Sequence, residues 1–158
     1  MTNQHVIDDK YVKENKLIKI SIDDDKDKKD IVFSNRKIYS SPKYDTTIIE
    51  LKNTDKVNKF LEIDKDIFED NSDLLFEGKT IYDIHYPKGG KLSVSYGTLK
   101  DITDYEIRHY CNTDNGSSGS PIITLSGNKV IGIHKGGHPR LNMNVGTFLK
   151  YPILEFIN

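Results

Sequence analysis

A short run of small residues between two apolar segments is the part of this sequence best suited to nucleophilic chemistry. It reads Asn115-Gly-Ser-Ser-Gly-Ser-Pro121, and Ser118 comes two residues after Gly116. A serine hydroxyl attacks a carbonyl when a base takes its proton, and the oxyanion that forms needs backbone N–H donors. A glycine two residues before the serine lets the backbone turn inward. The same composition is typical of an ordinary β-turn loop, so the run alone leaves both interpretations open.

The segments around this run predict a protein built from short β-strands. Residues that are β-branched or aromatic recur between charged or Gly/Asn/Ser-rich turns, and no helical apolar period lasts longer than a turn or two. We predict nine strands, at residues 17–22, 31–39, 46–51, 79–86, 92–102, 105–111, 121–125, 129–134 and 145–150. Nine short strands favour a β-barrel or a β-sandwich, and the fold class is therefore all-β.

Three further segments complete this organisation. Residues 55–76 mix apolar and acidic side chains without a clean period, which indicates a connector between two halves. The turn signal Pro87-Lys-Gly-Gly90 lies between two predicted strands of the second half. Residues 151–158 carry Pro152 near their start and apolar residues after it, so we predict a short terminal helix.

A charged run, residues 23–30, has alternating aspartates that resemble a calcium-binding loop. Lys28 stands where such a loop needs a glycine, and the distal glutamate is missing. A solvated hairpin tip is the interpretation that we prefer for these residues, because that is the usual place of such runs.

Composition excludes several classes of function. The 158 residues carry 23 Lys+Arg and 24 Asp+Glu, so the net charge of −1 provides no global attraction to nucleic acid or to an anionic membrane. No apolar run approaches the roughly 20 residues of a membrane span, and the N-terminal residues do not resemble a signal peptide. The single cysteine, Cys111, excludes an internal disulfide and a cysteine-based zinc site, and it suits a reducing compartment, which predicts a cytoplasmic protein. We expect no metal ligands.

The serine-containing run resembles the nucleophile motif Gly-x-Ser-Gly-Gly/Ser-Pro of trypsin-like serine proteases, which have the chymotrypsin fold. Two other segments resemble motifs of the same family. Thr2-Asn-Gln-His5-Val-Ile is similar to its histidine segment, and Tyr44-Asp45-Thr-Thr-Ile-Ile-Glu-Leu51 is similar to its aspartate segment. The order His, Asp, Ser is the order that this family uses, and the resemblance extends over nearly the whole chain from Thr2.

The resemblance implies a role for each residue of these motifs. Ser118 would be the nucleophile, His5 the general base and then acid, and Asp45 the group that orients the imidazole. The backbone N–H groups of Gly116 and Ser118 would form the oxyanion hole. The other four histidines all follow Asp45, so chain order assigns the base to His5. Without the resemblance, His5 would be an ordinary terminal surface residue and Asp45 a turn residue.

A narrower resemblance concerns specificity. Val130-Ile-Gly-Ile-His134-Lys-Gly-Gly137 is similar to a segment of the bacterial glutamyl endopeptidases. In those enzymes the histidine, together with a threonine five residues before the nucleophile, here Thr113, holds an acidic side chain of the substrate. Imidazole and hydroxyl donors suit a carboxylate. The alternative is that His134 only ends a buried strand and is hydrogen-bonded there.

The sequence also departs from the family pattern. Ser117 stands where secreted trypsins have the aspartate that pairs with a freed N-terminus, so that route of activation is not expected. The strands that precede the histidine segment in the family are missing, which predicts an N-terminally truncated chain. We therefore predict a chymotrypsin-like double β-barrel, with an incomplete first barrel and connector over residues 1–76 and a second barrel with the terminal helix over residues 77–158.

The function that this resemblance implies is hydrolysis of peptide bonds through an acyl-enzyme. It implies no cofactor, a peptide or protein substrate, and a preference for an acidic P1 residue. The alternative is a catalytically inactive relative that binds peptides or protein partners through the same cleft.

Overall fold

The computed structural model describes residues 1–22 and 27–158, which fold into a closed barrel and two small sheets. The barrel is built by the second half of the chain. Its strands are β5 (Thr80–His85), β6 (Ser93–Thr103), β7 (Glu106–His109), β8 (Pro121–Thr124), β9 (Val130–Gly137) and β10 (Asn144–Phe148). The strands follow the order β10-β7-β6-β5-β8-β9, and the antiparallel pairing of β9 with β10 closes the barrel.

The barrel interior is filled by branched and aromatic side chains. Ile81, Leu99, Ile107, Ile122 and Ile131 are fully buried there. Burying one such side chain contributes about 1.5–3 kcal/mol, so these residues stabilise the framework that carries the nucleophile loop.

The first half of the chain forms two separate antiparallel sheets. One pairs β1 (Leu17–Ile22) with β2 (Asp27–Val32), and the other pairs β3 (Ile38–Ser41) with β4 (Thr46–Ile49). The chain thus has one closed barrel and an incomplete first one, as predicted. Residues 23–26, which include most of the aspartates that resemble a calcium-binding loop, lie outside the described residues. The strands on either side of them pair antiparallel, as the preferred hairpin interpretation requires.

The predicted strand at residues 31–39 is wrong, because two strands occupy this region. The chain turns at Asn35, whose φ of 56° lies in the left-handed region that asparagine tolerates. The guanidinium of Arg36 holds this turn by donating to the carbonyl of Glu50 and to the carboxylate of Asp55, at 2.6 and 2.9 Å. Both side chains of the Arg36–Asp55 ion pair are nearly buried, and Arg36 lowers the pKa of Asp55 to about 2.

Short helices fill the remaining segments. The sequence did not predict α1 (Asp9–Glu14), which begins where the Asp8 carboxylate accepts the N–H of Tyr11. The connector contains 3₁₀ turns and α2 (Ser72–Phe76), and it has no strand among its described residues. The predicted terminal helix is present as α3 (Lys150–Ile157). Within the described ranges, no helix has the length and apolar character that crossing a membrane requires.

Candidate active site

Three side chains from distant parts of the chain meet between the two halves. The Nδ1 atom of His5 lies 2.8 Å from Oδ2 of Asp45, and its Nε2 atom lies 3.0 Å from Oγ of Ser118. The carboxylate accepts the Nδ1 proton and so leaves Nε2 free to take the proton of the serine hydroxyl. The structure therefore brings together the three residues to which the sequence motifs assign the roles of nucleophile, base and orienting acid.

His5 is held by backbone contacts with β4 and with the turn before it. Thr2 and Thr47 exchange two backbone hydrogen bonds of 3.0 and 2.8 Å, which add the N-terminal segment to the edge of β4. The side-chain amide of Asn3 donates to the carbonyl of Asp45, at 3.1 Å. The backbone N–H of His5 donates to Oδ1 of Asp45, at 2.9 Å. The imidazole thus has a defined position although about half of it is exposed.

Asp45 ends the four-residue turn between β3 and β4. Its φ of 48° is left-handed, a conformation that aspartate adopts more easily than most residues. Its two carboxylate oxygens bind two different groups of His5, the backbone N–H and the ring. This double contact fixes the orientation of the ring as well as its tautomer.

The nucleophile loop turns sharply on two glycines. Gly116 and Gly119 have φ values of 88° and 83°, which side chains other than glycine rarely adopt. The loop is attached to β9 by two backbone hydrogen bonds, from Gly119 to the carbonyl of His134 and from His134 to the carbonyl of Ser120. A Cβ atom on Gly119 would lie 2.9 Å from Oγ1 of Thr2. The loop and the N-terminal segment therefore pack closely at this glycine.

The two N–H groups expected to bind an oxyanion belong to Gly116 and Ser118. In the described part of the chain, no group accepts a hydrogen bond from either of them. Ser118 Oγ also lies 3.3 Å from the carbonyl of Lys135, so the hydroxyl has a second acceptor beside the imidazole.

Thr113 lines a cavity of about 450 Å³ next to the nucleophile loop. None of its lining residues is acidic; they are Tyr110, Cys111, Asn112, Thr113, Gly137, His138, Asn142, Met143 and Asn144. His134 does not line this cavity. The residue is 2% exposed, and its ring contacts that of His109 edge to face, at 5.5 Å between centroids.

The hydrogen bonds of His109 and His134 define their tautomers. The backbone N–H of Cys111 donates to Nδ1 of His109, at 3.3 Å, so the proton of His109 is on Nε2. That Nε2 lies 3.4 Å from Nδ1 of His134, which leaves His134 with its own proton on Nε2. Burial, with smaller contributions from His85 and His5, lowers the pKa of His134 to about 4, so its ring is neutral at pH 7.

Strand β5 contributes polar side chains that the sequence analysis did not single out. Asp83 and His85 point inward with Ile81, and all three are buried. The signal that reveals them is the period of two along β5, which places these three residues on one face. His85 contacts Ser117 of the nucleophile loop, with 2.7 Å between Nδ1 and Oγ.

Asp83, His109 and Cys111 are the residues that could hold a metal ion among those described. Their candidate ligand atoms lie within 4.8 Å of one another, and all three residues are buried. Reasoning from a single cysteine missed this mixed cluster. The Nδ1 atom of His109 already accepts from Cys111, however, and the thiol of Cys111 lies 3.9 Å from the carbonyl of Ile81. Two of the three ligand atoms thus have partners within the chain, and we assign no metal to the cluster.

Comparison with known proteins identifies the family. A family model described as a trypsin-like peptidase domain matches residues 1–133. No curated protein sequence matches the chain significantly.

Several solved structures share the fold. The HtrA-type protease AlgW with decapeptide aligns with a TM-score of 0.68 and 16% identity, over 99% of this chain and 46% of that chain. The serine endoprotease from Yersinia pestis aligns with a TM-score of 0.71 and 14% identity, over 98% and 51% of the two chains. The structure of a Glu endopeptidase in complex with MPD aligns with a TM-score of 0.58 and 20% identity, over 84% of this chain and 63% of that chain.

At these identities the likeness is one of fold, and the chain spans about half the length of the first two structures. The family match covers most of the chain and includes His5, Asp45 and Ser118. The chain therefore belongs to the family of trypsin-like peptidase domains, and its fold is that of the chymotrypsin-like serine endopeptidases.

Proposed function

We propose that this protein is a serine endopeptidase that uses Ser118, His5 and Asp45 as its catalytic triad. The observation that carries the proposal is the His5 ring placed between the other two side chains, at 2.8 Å from the carboxylate and 3.0 Å from the hydroxyl. Distances of this size allow proton transfer without rearrangement. The family match supports the same reaction class.

The reaction would proceed in two displacements. Ser118 Oγ attacks the scissile carbonyl while its proton moves to Nε2 of His5, and the oxyanion binds the N–H groups of Gly116 and Ser118. The C–N bond then breaks, and His5 returns the proton to the leaving amine. Water attacks the acyl-enzyme with His5 as base, and the acid product leaves Ser118 with its hydroxyl restored. No step requires a cofactor.

Labelling with a fluorophosphonate probe tests this assignment. Ser118→Ala should abolish labelling, because the residue that forms the covalent bond is removed. Ser120→Ala is the matched control from the same loop and should retain labelling. Labelling that survives in Ser118→Ala would exclude Ser118 as the nucleophile. A folded wild-type protein that does not react at all would instead favour the alternative of an inactive peptide-binding domain.

We also propose that the substrate's P1 residue is acidic and that Thr113 contributes to its recognition. Thr113 lines two cavities. The one of about 450 Å³ has no acidic residue and contains His138 and three asparagines whose groups can donate to a carboxylate, whereas the other includes Asp114. The tautomer of His134 directs its remaining N–H away from His109. One protein of the same fold is a Glu endopeptidase.

Substitution of the proposed donors tests the specificity. Thr113→Val should lower kcat/KM for substrates with Glu at P1 by about 5- to 150-fold, while Gln substrates change little, because a buried carboxylate would lose a donor that lines the cavity. His134→Leu should have a smaller effect, because the buried His134 does not line this cavity. The charge of His134 should add no pH dependence between pH 6 and 8, because its pKa near 4 leaves the ring neutral there. A peptide library provides the measurement. A basic, aromatic or small P1 preference would contradict the proposal and leave the triad unaffected.

A further inference from the structure

A buried contact joins the end of β5 to the residue that precedes the nucleophile. Nδ1 of His85 and Oγ of Ser117 are 2.7 Å apart, and the two residues are 4% and 0% exposed. The same hydroxyl accepts the backbone N–H of Asp114, at 3.3 Å. It can therefore donate its own proton to His85. Burial lowers the pKa of His85, which favours the neutral ring that accepts this proton.

The segment that follows His85 also contacts the nucleophile loop through its backbone. The N–H of Lys88 donates to the carbonyl of Asn115, at 2.5 Å. A Cβ atom on Gly116 would lie 3.0 Å from the backbone nitrogen of Gly89 and 3.1 Å from the carbonyl oxygen of Tyr86. The loop therefore rests directly on this segment, with the His85–Ser117 contact buried beneath it.

The position of Ser117 in the chain gives this contact its significance. Ser117 lies between Gly116 and Ser118, whose N–H groups would bind the oxyanion. The Ser118 N–H is in the peptide that Ser117 begins, and the Gly116 N–H is in the peptide whose Asn115 carbonyl accepts from Lys88. Its own N–H donates to the carbonyl of Asp114, at 3.1 Å. Fixing the side chain and N–H of Ser117 restricts the peptide that carries the Ser118 N–H, and an oxyanion hole works only when its donors are held in place beforehand.

We propose that His85 is a positioning residue that holds the oxyanion-binding loop in place through its hydrogen bond to Ser117. The role rests on the proposed peptidase function. In this arrangement His85, on a strand of the barrel, stabilises the nucleophile loop. The neutral pair of His85 and Ser117 lies directly before Ser118 in the chain. We call it the His85–Ser117 brace.

Two substitutions of similar shape separate the hydrogen bond from packing. Asparagine can place a polar atom where Nδ1 of histidine lies, whereas leucine fills similar space without one. His85→Leu should lower kcat by about 10- to 100-fold. It should also lower the affinity for a peptide boronic acid by a similar factor, because the tetrahedral adduct of this inhibitor needs the oxyanion donors. KM should change by no more than about twofold. His85→Asn should retain most of the wild-type kcat and most of the affinity for the boronic acid.

Ser117→Ala tests the other side of the brace. It should reproduce the loss seen in His85→Leu, and the double variant should be little worse than either single one, because both remove the same contact. Ser72→Ala is the control, since Ser72 is equally buried and hydrogen-bonded but lies on α2. That variant should keep full activity.

Hydrogen exchange over residues 112–120 makes the test independent of catalysis. Exchange should accelerate in His85→Leu and Ser117→Ala and stay slow in Ser72→Ala. Unchanged exchange, additive losses or full boronic acid affinity in His85→Leu would each overturn the brace. If the wild-type protein shows no peptidase activity, the proposed function fails, and hydrogen exchange alone still decides whether the brace holds the loop.

Discussion

His5→Ala and Asp45→Asn should each lower kcat by about four orders of magnitude. Alanine removes the only base within reach of Ser118 Oγ among the described side chains, where Nε2 of His5 lies at 3.0 Å. Asparagine keeps the size of Asp45 but can present an amide donor to Nδ1, which favours the wrong tautomer of the imidazole. Single-turnover hydrolysis of a peptide ester measures the loss without interference from product release.

The double variant distinguishes a shared mechanism from two separate effects. Because the triad acts as a unit, His5→Ala/Asp45→Asn should be little slower than the worse single variant. Losses that multiply would show that the two residues do not act together. Asp9→Asn, at an exposed acid of α1, is the control for the change of charge and should leave kcat unchanged.

Asp83→Asn should stabilise the protein, and the gain should increase with pH. Asp83 is fully buried on β5, and neither carboxylate oxygen has a hydrogen-bond partner among the described residues. Burial raises the pKa of this carboxyl from 3.8 to about 7. Between these values the folded protein holds a proton that the unfolded chain has released, so the free energy of unfolding falls as pH rises. Above pH 7 the carboxyl of Asp83 is ionised in both states, and its burial lowers the free energy of unfolding by about 4 kcal/mol.

Urea unfolding of both proteins at pH 5 and pH 8 measures this effect. The difference in free energy of unfolding should be largest at pH 8 and should shrink as the pH approaches 4. Asp104→Asn, at an exposed turn, controls for the loss of one charge. An equal difference at both pH values would mean that the carboxylate of Asp83 is compensated in the folded protein.

The three family motifs could be recognised in the sequence because the conformation that each requires constrains adjacent residues. The glycines around Ser118 must adopt left-handed backbone conformations, so the loop carries a local signature. The strands of the barrel were also predictable, since runs of β-branched residues mark most of them. The proximity of His5 to Asp45 and Ser118 was an expectation from resemblance alone, because no local pattern relates residues so far apart.

The features that were missed depend on contacts between distant residues. The break between β2 and β3 is held by the pair of Arg36 and Asp55, which no local pattern indicates. α1 has only six residues, too few for a helical period to be recognised.

The polar interior of β5 was hidden for a different reason. One face of the strand carries Ile81, Asp83 and His85, and the other carries Tyr82 and Ile84. Hydrophobicity alone would place the Tyr82 and Ile84 face inside, yet the structure buries the opposite face. The register of the closed barrel decides this, and a one-residue shift would reverse it.

The contacts of His5 also bear on the order in which the parts of this protein fold. Its hydrogen bonds to Asp45 and Ser118 join residues that are 40 and 113 positions apart along the chain. Each contact closes a loop at an entropic cost, and contacts between distant segments are slow to form. The contact with Ser118 spans far more of the chain than any strand pairing of the barrel, the longest of which joins Ile81 to Thr124, so we expect the barrel to form first. A partly folded molecule would then hold the Ser118 hydroxyl without the His5 imidazole beside it, and the proposed peptidase activity would require the last long-range contact to form.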